Sequence, residues 1–157
     1  MKLQTALRNL LIVLFGALVL SACSTTKKGD LAGDVYTGTE TIEYLAKGVP
    51  DRVFFATNKS SLTTAARDTL RKQATWLRKN KDITVTVEGH ADERGTREYN
   101  LALGERRANA AKDYLMTYGI SGKRISVISY GKEKPVNPAS NPLAWSQNRR
   151  SVSVKTN

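Results

Sequence analysis

Between Pro50 and the C-terminus, apolar positions follow two spacings in alternation. Arg52-Val53-Phe54-Phe55-Ala56 is a β-branched and aromatic run bounded by Pro50 and by Thr57-Asn58, which predicts a strand. Leu62, Ala66, Leu70, Ala74 and Leu77 then recur at helical spacing. Ser61, Thr63 or Thr64 is available as N-cap and Asn80 lies near the stop, so a helix of about 16 residues is expected. Ile83 to Gly89 alternates with period two and predicts a second strand with one buried face. After a loop from His90 to Glu98, Tyr99 to Tyr118 places Leu101, Ala108, Ala111 and Leu115 on one seam, flanked by Leu103, Ala110 and Tyr114. This second helix ends at Gly119, a residue suited to the position just past a helix. Arg124 to Tyr130 and Arg149 to Lys155 predict a third and a fourth strand, while Gly131 to Gln147 holds three of the four prolines and is expected to be mostly loop. The order β-α-β-α-β-β predicts an α+β domain over 50–157, its sheet at least partly parallel and its helices packed on one face.

Upstream of Pro50 the pattern changes. Residues 1–9 carry Lys2 and Arg8 and no acid, Leu10 to Leu20 is apolar apart from Gly16, and Ser21-Ala22-Cys23 follows. This is the layout of a secretion signal over 1–22. At ~1.5 Å per residue the apolar run spans roughly half of a ~30 Å hydrocarbon core, which argues against a permanent transmembrane helix. Leu20-Ser21-Ala22-Cys23 resembles the bacterial lipobox, which implies cleavage before Cys23 and acylation of that cysteine. Ser24, in place of Asp, implies sorting to the outer membrane, with the domain in the periplasm. Residues 23–49, rich in Thr, Gly and Lys with a short apolar patch at Ile42, Tyr44 and Leu45, read as a periplasmic tether with a short element late in its course. Extended, such a stretch reaches ~90 Å.

Composition narrows the chemistry. The 157 residues hold one Cys and one His, too few for an intramolecular disulfide or a four-ligand zinc site, and nothing in the chain asks for a cofactor. The formal net charge of +11 favours anionic partners. An exported chain makes nucleic acid the wrong polyanion and leaves acidic lipid or cell-wall polymer.

The stretch Val87-Glu88-Gly89-His90-Ala91-Asp92-Glu93-Arg94 through Asn100-Leu101-Ala102-Leu103-Gly104-Glu105-Arg106-Arg107-Ala108 resembles the OmpA-like family in its lipoprotein branch. Ser129-Tyr130-Gly131-Lys132-Glu133-Lys134-Pro135 and Gln147-Asn148-Arg149-Arg150 extend the resemblance to about residues 50–155. It implies non-covalent binding of peptidoglycan at the diaminopimelate residue of the stem peptide, without catalysis. It also implies a periplasmic Tol propeller protein as partner and a role in envelope integrity and in constriction at division.

The residues suit that ligand, which ends in an amine and a carboxylate on one carbon. Asp92, just past the second strand, can take the ammonium, and the planar guanidinium of Arg107, on the second helix, can grip the carboxylate with two hydrogen bonds. Free amides at the start of that helix, around Glu98 to Leu101, can help hold an anionic end. The resemblance adds Thr57, Asn58, Asn100 and Leu103 to the binding residues. Asn148 and Arg149 either line the pocket or tie the last strand to the sheet. Arg106 lies ~100° around the helix from Arg107 and is expected in solvent. His90 has no nucleophile relay beside it and is expected to serve structural hydrogen bonding. Arg67, Arg71, Arg78 and Lys79 make the first helix basic, a solvated face.

One departure bears on the ligand. The family often has Asp near the end of the first strand, and this chain reads Phe55-Ala56-Thr57-Asn58, so the amine rests on Asp92 without a second carboxylate from that strand. A second departure, Ala91 where many relatives outside the lipoprotein branch have Thr, agrees with that branch. A wall hydrolase would need a metal cluster, a Cys-His pair or two carboxylates flanking a cleft. A charge-only polyanion binder would lose its ligand steeply in salt, whereas a bidentate pocket retains more.

Overall fold

Thr63 accepts a hydrogen bond from the Ala66 amide at 3.2 Å and starts the first long helix, α1 (Thr64–Lys79), whose 16 residues match the predicted length. The computed structural model describes residues 34–157. The signal, Cys23 and the first part of the tether lie outside the described residues. The described chain runs β1 (Tyr44–Ala46), β2 (Val49–Pro50), β3 (Arg52–Phe54), α1, β4 (Val85–His90), α2 (Arg97–Thr117), a 3-10 turn (Gly122–Arg124), β5 (Ile125–Gly131), α3 (Pro142–Asn148) and β6 (Arg150–Lys155).

The last four strands named in sequence order, β3 to β6, form one sheet in the order β3-β6-β4-β5. β4 and β5 are parallel, with Val85 opposite Ile125. β6 lies antiparallel to both of its neighbours, with Ser151 opposite Val53 and Val154 opposite Thr86. β3 and β4 therefore point the same way with β6 inserted between them. Val53, Phe55, Val85, Val87 and Ile125 face one side and pack with Leu70, Leu77, Ala108, Ala111 and Leu115 of the two long helices. Both helices cover the same sheet face, as the strand-helix alternation predicts.

The last part of the predicted tether lies against this domain. β1 and β2 pair as a short antiparallel hairpin, Leu45 enters the core at 3% exposure, and the Tyr36 ring sits edge-on to Phe54 with centroids 4.8 Å apart.

Three expectations are corrected. The stretch from Gly131 to Gln147 is not mostly loop in its second half, because α3 forms there, capped by Asn141, which accepts from the Ala144 amide at 2.9 Å. Pro142 occupies the first turn, where no amide hydrogen is needed, so it starts a helix where its presence suggested a breaker. The buried stripe of α2 is Asn100, Leu103, Gly104, Arg107, Ala108, Ala111 and Leu115, and Leu101 is only half-buried. Two polar residues occupy that stripe, which an apolar pattern cannot register. The first strand stops at Phe54, two residues early, because the chain turns at Ala56 to Lys59, where Asn58 adopts φ 55° and the Lys59 amide donates to the Ala56 carbonyl.

Gly89 and Gly104 set the distance between sheet and helix. A Cβ on Gly89 would fall 1.8 Å from the Gly104 carbonyl oxygen, so α2 crosses β4 at backbone contact. This close approach is what allows a side chain midway along the helix to reach the carbonyls at the end of the strand.

Candidate functional site

Because β6 runs antiparallel between β3 and β4, its first residues stand beside the last residues of both. Residues near 57, 92 and 149 are thereby gathered at one end of the sheet, beneath the adjacent stripe of α2.

Arg107 is the largest fully buried side chain, at 0% exposure. Its Nε donates to the Lys59 carbonyl at 2.8 Å, Nη1 to the His90 carbonyl at 2.8 Å and Nη2 to the Ala56 carbonyl at 3.1 Å. A guanidinium carries five N–H groups, so one on each terminal nitrogen is left over. Burial and the nearby charge of Arg149 push its pKa down to about 10, which keeps the cation at neutral pH. The Phe55 ring lies 5.2 Å from the guanidinium carbon. Arg107 thus braces the turn after β3 against the end of β4, and does not stand open to solvent as a free clamp. Arg106 is exposed, as the helical offset predicts.

Asp92 is 7% exposed and is held by two guanidinium groups. Arg94 spans both oxygens, with Nε 3.1 Å from Oδ1 and Nη2 2.7 Å from Oδ2, and its own amide donates to Oδ1 at 3.1 Å. Arg149 Nη1 donates to Oδ2 at 3.2 Å. Burial raises the carboxyl pKa, but the Arg94 and Arg149 hydrogen bonds outweigh it and hold the group below the ordinary range. Arg149, itself 3% exposed, also donates from Nε to the Phe55 carbonyl at 3.0 Å and from Nη2 to the Asp34 carbonyl. It therefore ties the closing strand to β3 and also faces the Asp92 and Asp34 carboxylates.

Asn148 holds the loop between β5 and α3 and not the sheet. Its Oδ1 accepts from the Val136 and Asn137 amides, at 2.8 and 3.0 Å, and its Nδ2 donates to the Asn137 carbonyl at 2.7 Å. Asn100, 1% exposed, donates to the Arg94 carbonyl at 2.9 Å and fixes the loop before α2. Leu103 is buried at 4%. Asn58 is exposed at the turn tip, and Thr57 receives Arg94 Nη2 on its hydroxyl at 3.3 Å. Asp92, Thr57 and Arg149 thus meet in one hydrogen-bonded network. Arg107 adjoins it through Ala56 and His90, Asn100 supports it from below, and Asn58 and Asn148 stand at its margins.

The OmpA family model matches residues 54–149. The chain belongs to the OmpA family. A peptidoglycan-associated lipoprotein of Rhizobium meliloti is 46% identical, with 98% of this chain and 91% of the relative covered. One of Mesorhizobium japonicum is 44% identical, with 98% and 95% covered. The crystal structure of the peptidoglycan-associated lipoprotein from Burkholderia pseudomallei matches with a TM-score of 0.66 at 35% identity, over 68% of this chain and 90% of that one. Within the OmpA family the chain falls in this lipoprotein branch.

In this OmpA-family domain, His90 is a neutral structural residue. Its Nε2 lies 3.3 Å from Glu88 Oε2, and burial together with Arg150 and Lys134 lowers its pKa to about 3. The sequence reading missed Arg94, Trp145 and Asp34. Arg94 stacks over the Trp145 ring at 4.3 Å, while Glu93 accepts from Trp145 Nε1 at 2.8 Å. Arg94 carried a signal, since a cation two residues after an Asp in a loop can fold back on it. Trp145 lay in a stretch expected to be loop, and Asp34 in one expected to be tether.

Proposed function

We propose that this chain is a peptidoglycan-associated envelope lipoprotein whose OmpA-family domain holds the cell wall non-covalently, through the diaminopimelate residue of the stem peptide, and performs no catalysis. Acylated Cys23 anchors it in the outer membrane, and several acyl chains at ~0.8 kcal/mol per buried CH₂ make the anchor stable. The observation that carries the reading is the buried meeting of Asp92 and Arg149, 3.2 Å apart, beside the Arg107 guanidinium. One carboxylate flanked by cations suits a ligand that is itself a zwitterion on one carbon.

In the free protein Arg94 caps Asp92 as the ligand ammonium would, and its side chain is 42% exposed and able to swing away. The ligand ammonium then takes its place on Asp92, and the ligand carboxylate meets Arg149 and the remaining N–H groups of Arg107. Ala56, where relatives often carry Asp, leaves the end of β3 without a carboxylate, so the amine rests on Asp92. The periplasmic Tol propeller protein is the implied second partner, with a role in envelope constriction at division.

Co-sedimentation of the full-length protein in detergent with purified diaminopimelate-type sacculi tests the reading. At ~0.5 M salt, where the Debye length is ~4 Å, charge-only attraction is screened. The parent should pellet and Asp92→Asn should remain in solution, with a thermal melt showing that the variant is folded. Equal pelleting of the two proteins overturns the pocket, and a parent that pellets at low salt but not at this salt identifies a polyanion binder.

A further inference from the structure

Beside Asp92, the Arg149 guanidinium of the free protein already holds a second carboxylate, and it comes from the tether. Asp34 Oδ2 accepts the Thr57 amide at 2.6 Å and lies 3.5 Å from Arg149 Nη2, which also donates to the Asp34 carbonyl. Thr57 in turn is joined through its hydroxyl to Arg94, and Arg149 through Nη1 to Asp92. Asp34 thus stands toward Arg149 as Arg94 stands toward Asp92: each supplies from within the chain one of the two charges that a zwitterionic ligand would bring.

We infer that the Thr57 amide and the Arg149 guanidinium form a carboxylate subsite that Asp34 fills in the free protein, so that a ligand carboxylate and the Asp34 segment of the tether compete for it. This rests on the wall-binding reading above and adds a regulatory consequence to it.

The segment around Asp34 is built to come away. The Asp34 side chain is 43% exposed. Val35, Tyr36 and Ile42 line, with Phe54, Leu62 and Arg67, a cavity of about 570 Å³, so this stretch meets the domain largely through the buried Tyr36 ring. Tyr36 on Phe54 holds this segment, and Leu45 enters the core further on. A segment with few buried apolar contacts opens at low free energy without unfolding its neighbours. With Asp34 docked, residues 24–33 can span at most ~35 Å; with the chain freed as far as Ile42 that limit roughly doubles. Binding of the wall ligand would therefore lengthen the tether between the lipid anchor and the domain.

The test uses the full-length protein in detergent and L-Ala-γ-D-Glu-meso-diaminopimelate as probe, with binding measured by titration calorimetry. Asp34→Ala is compared with the parent and with Asp113→Ala, an exposed α2 carboxylate that controls for charge. A site blocked for most of the time has its apparent affinity reduced by its open fraction. Asp34→Ala should therefore bind roughly three- to tenfold tighter than the parent, with Asp113→Ala unchanged. The Thr57 amide resonance in a 15N-edited NMR spectrum should shift on Asp34→Ala substitution, and in the parent on ligand addition. Equal binding by all three proteins, weaker binding by Asp34→Ala, or a Thr57 resonance unmoved by that substitution overturns the competition and leaves wall binding standing. Binding by none of them overturns the wall reading and the competition together.

Discussion

Arg107 Nη1 donates to the carbonyl of His90 at 2.8 Å, joining the middle of α2 to the last residue of β4. The same guanidinium holds Ala56 and Lys59, so one buried cation fixes the turn after β3 and the strand end that leads to Asp92. The position that the family resemblance led one to expect on the ligand serves here as a structural brace.

Replacing Arg107 should therefore unsettle the domain before it affects any ligand. Arg107→Ala removes three hydrogen bonds and takes their donor from the His90 and Lys59 carbonyls, while Ala56 keeps the Lys59 amide; at ~1–3 kcal/mol for a buried acceptor without a partner, unfolding free energy should fall by at least ~2 kcal/mol in a urea titration. Arg106→Ala, at an exposed position, should stay within ~0.5 kcal/mol of the parent. A loss below ~1 kcal/mol for Arg107→Ala would contradict the bracing role.

His90 should make stability depend on pH in the mildly acid range. Its folded-state pKa of about 3 lies below the ordinary 6.5, so the unfolded chain binds the proton first as pH falls. The contribution is complete above pH 6.5 and declines, by up to ~1.4 kcal/mol per pH unit, until about pH 3. Chemical denaturation across that range should show this slope in the parent and a flatter one in His90→Asn.

The crossing of α2 on β4 should tolerate no side chain at its centre. Gly89→Ala places a methyl 1.8 Å from a backbone oxygen that cannot rotate away, and should cost more than ~3 kcal/mol or prevent folding. Gly104→Ala meets the Ser129 hydroxyl at 2.4 Å, and moving it breaks the hydrogen bond from Ser129 to the Leu101 carbonyl. Thermal melts should rank Gly89→Ala below Gly104→Ala, and both below the parent.

Asn148→Ala should release the loop between β5 and α3. Three hydrogen bonds are lost and the site is buried at 3%, so a decrease of ~2 kcal/mol is expected. Hydrogen exchange should quicken at the Val136 and Asn137 amides while β4 amides keep their protection.

The strand-helix alternation, both long helices and the Thr63 cap region were legible because they rest on local signals: apolar period, capping hydroxyls and turn residues. The inner stripe of α2 was misread at Leu101, which is half-buried while the polar Asn100 and Arg107 lie inside, because a buried polar residue is indistinguishable from an exposed one until its partners are known. α3 was missed because Pro142 reads as a breaker unless its place in the first turn is seen. The Asp34 contact joins residues more than a hundred positions apart in sequence, with no periodicity to announce it.

By itself the sequence determined the order of elements, the excess of positive charge, the lipobox-like Cys23 and the motif residues Asp92, Arg107 and Arg149, since all are properties of the chain read locally. Only the tertiary structure decided how those residues are employed. Inserting β6 between β3 and β4 brings Arg149 to Asp92, and the contact of Gly89 with Gly104 lowers Arg107 onto three backbone carbonyls. A buried charge takes its role from the partners that the fold delivers to it, and those partners come from strands that are remote in sequence.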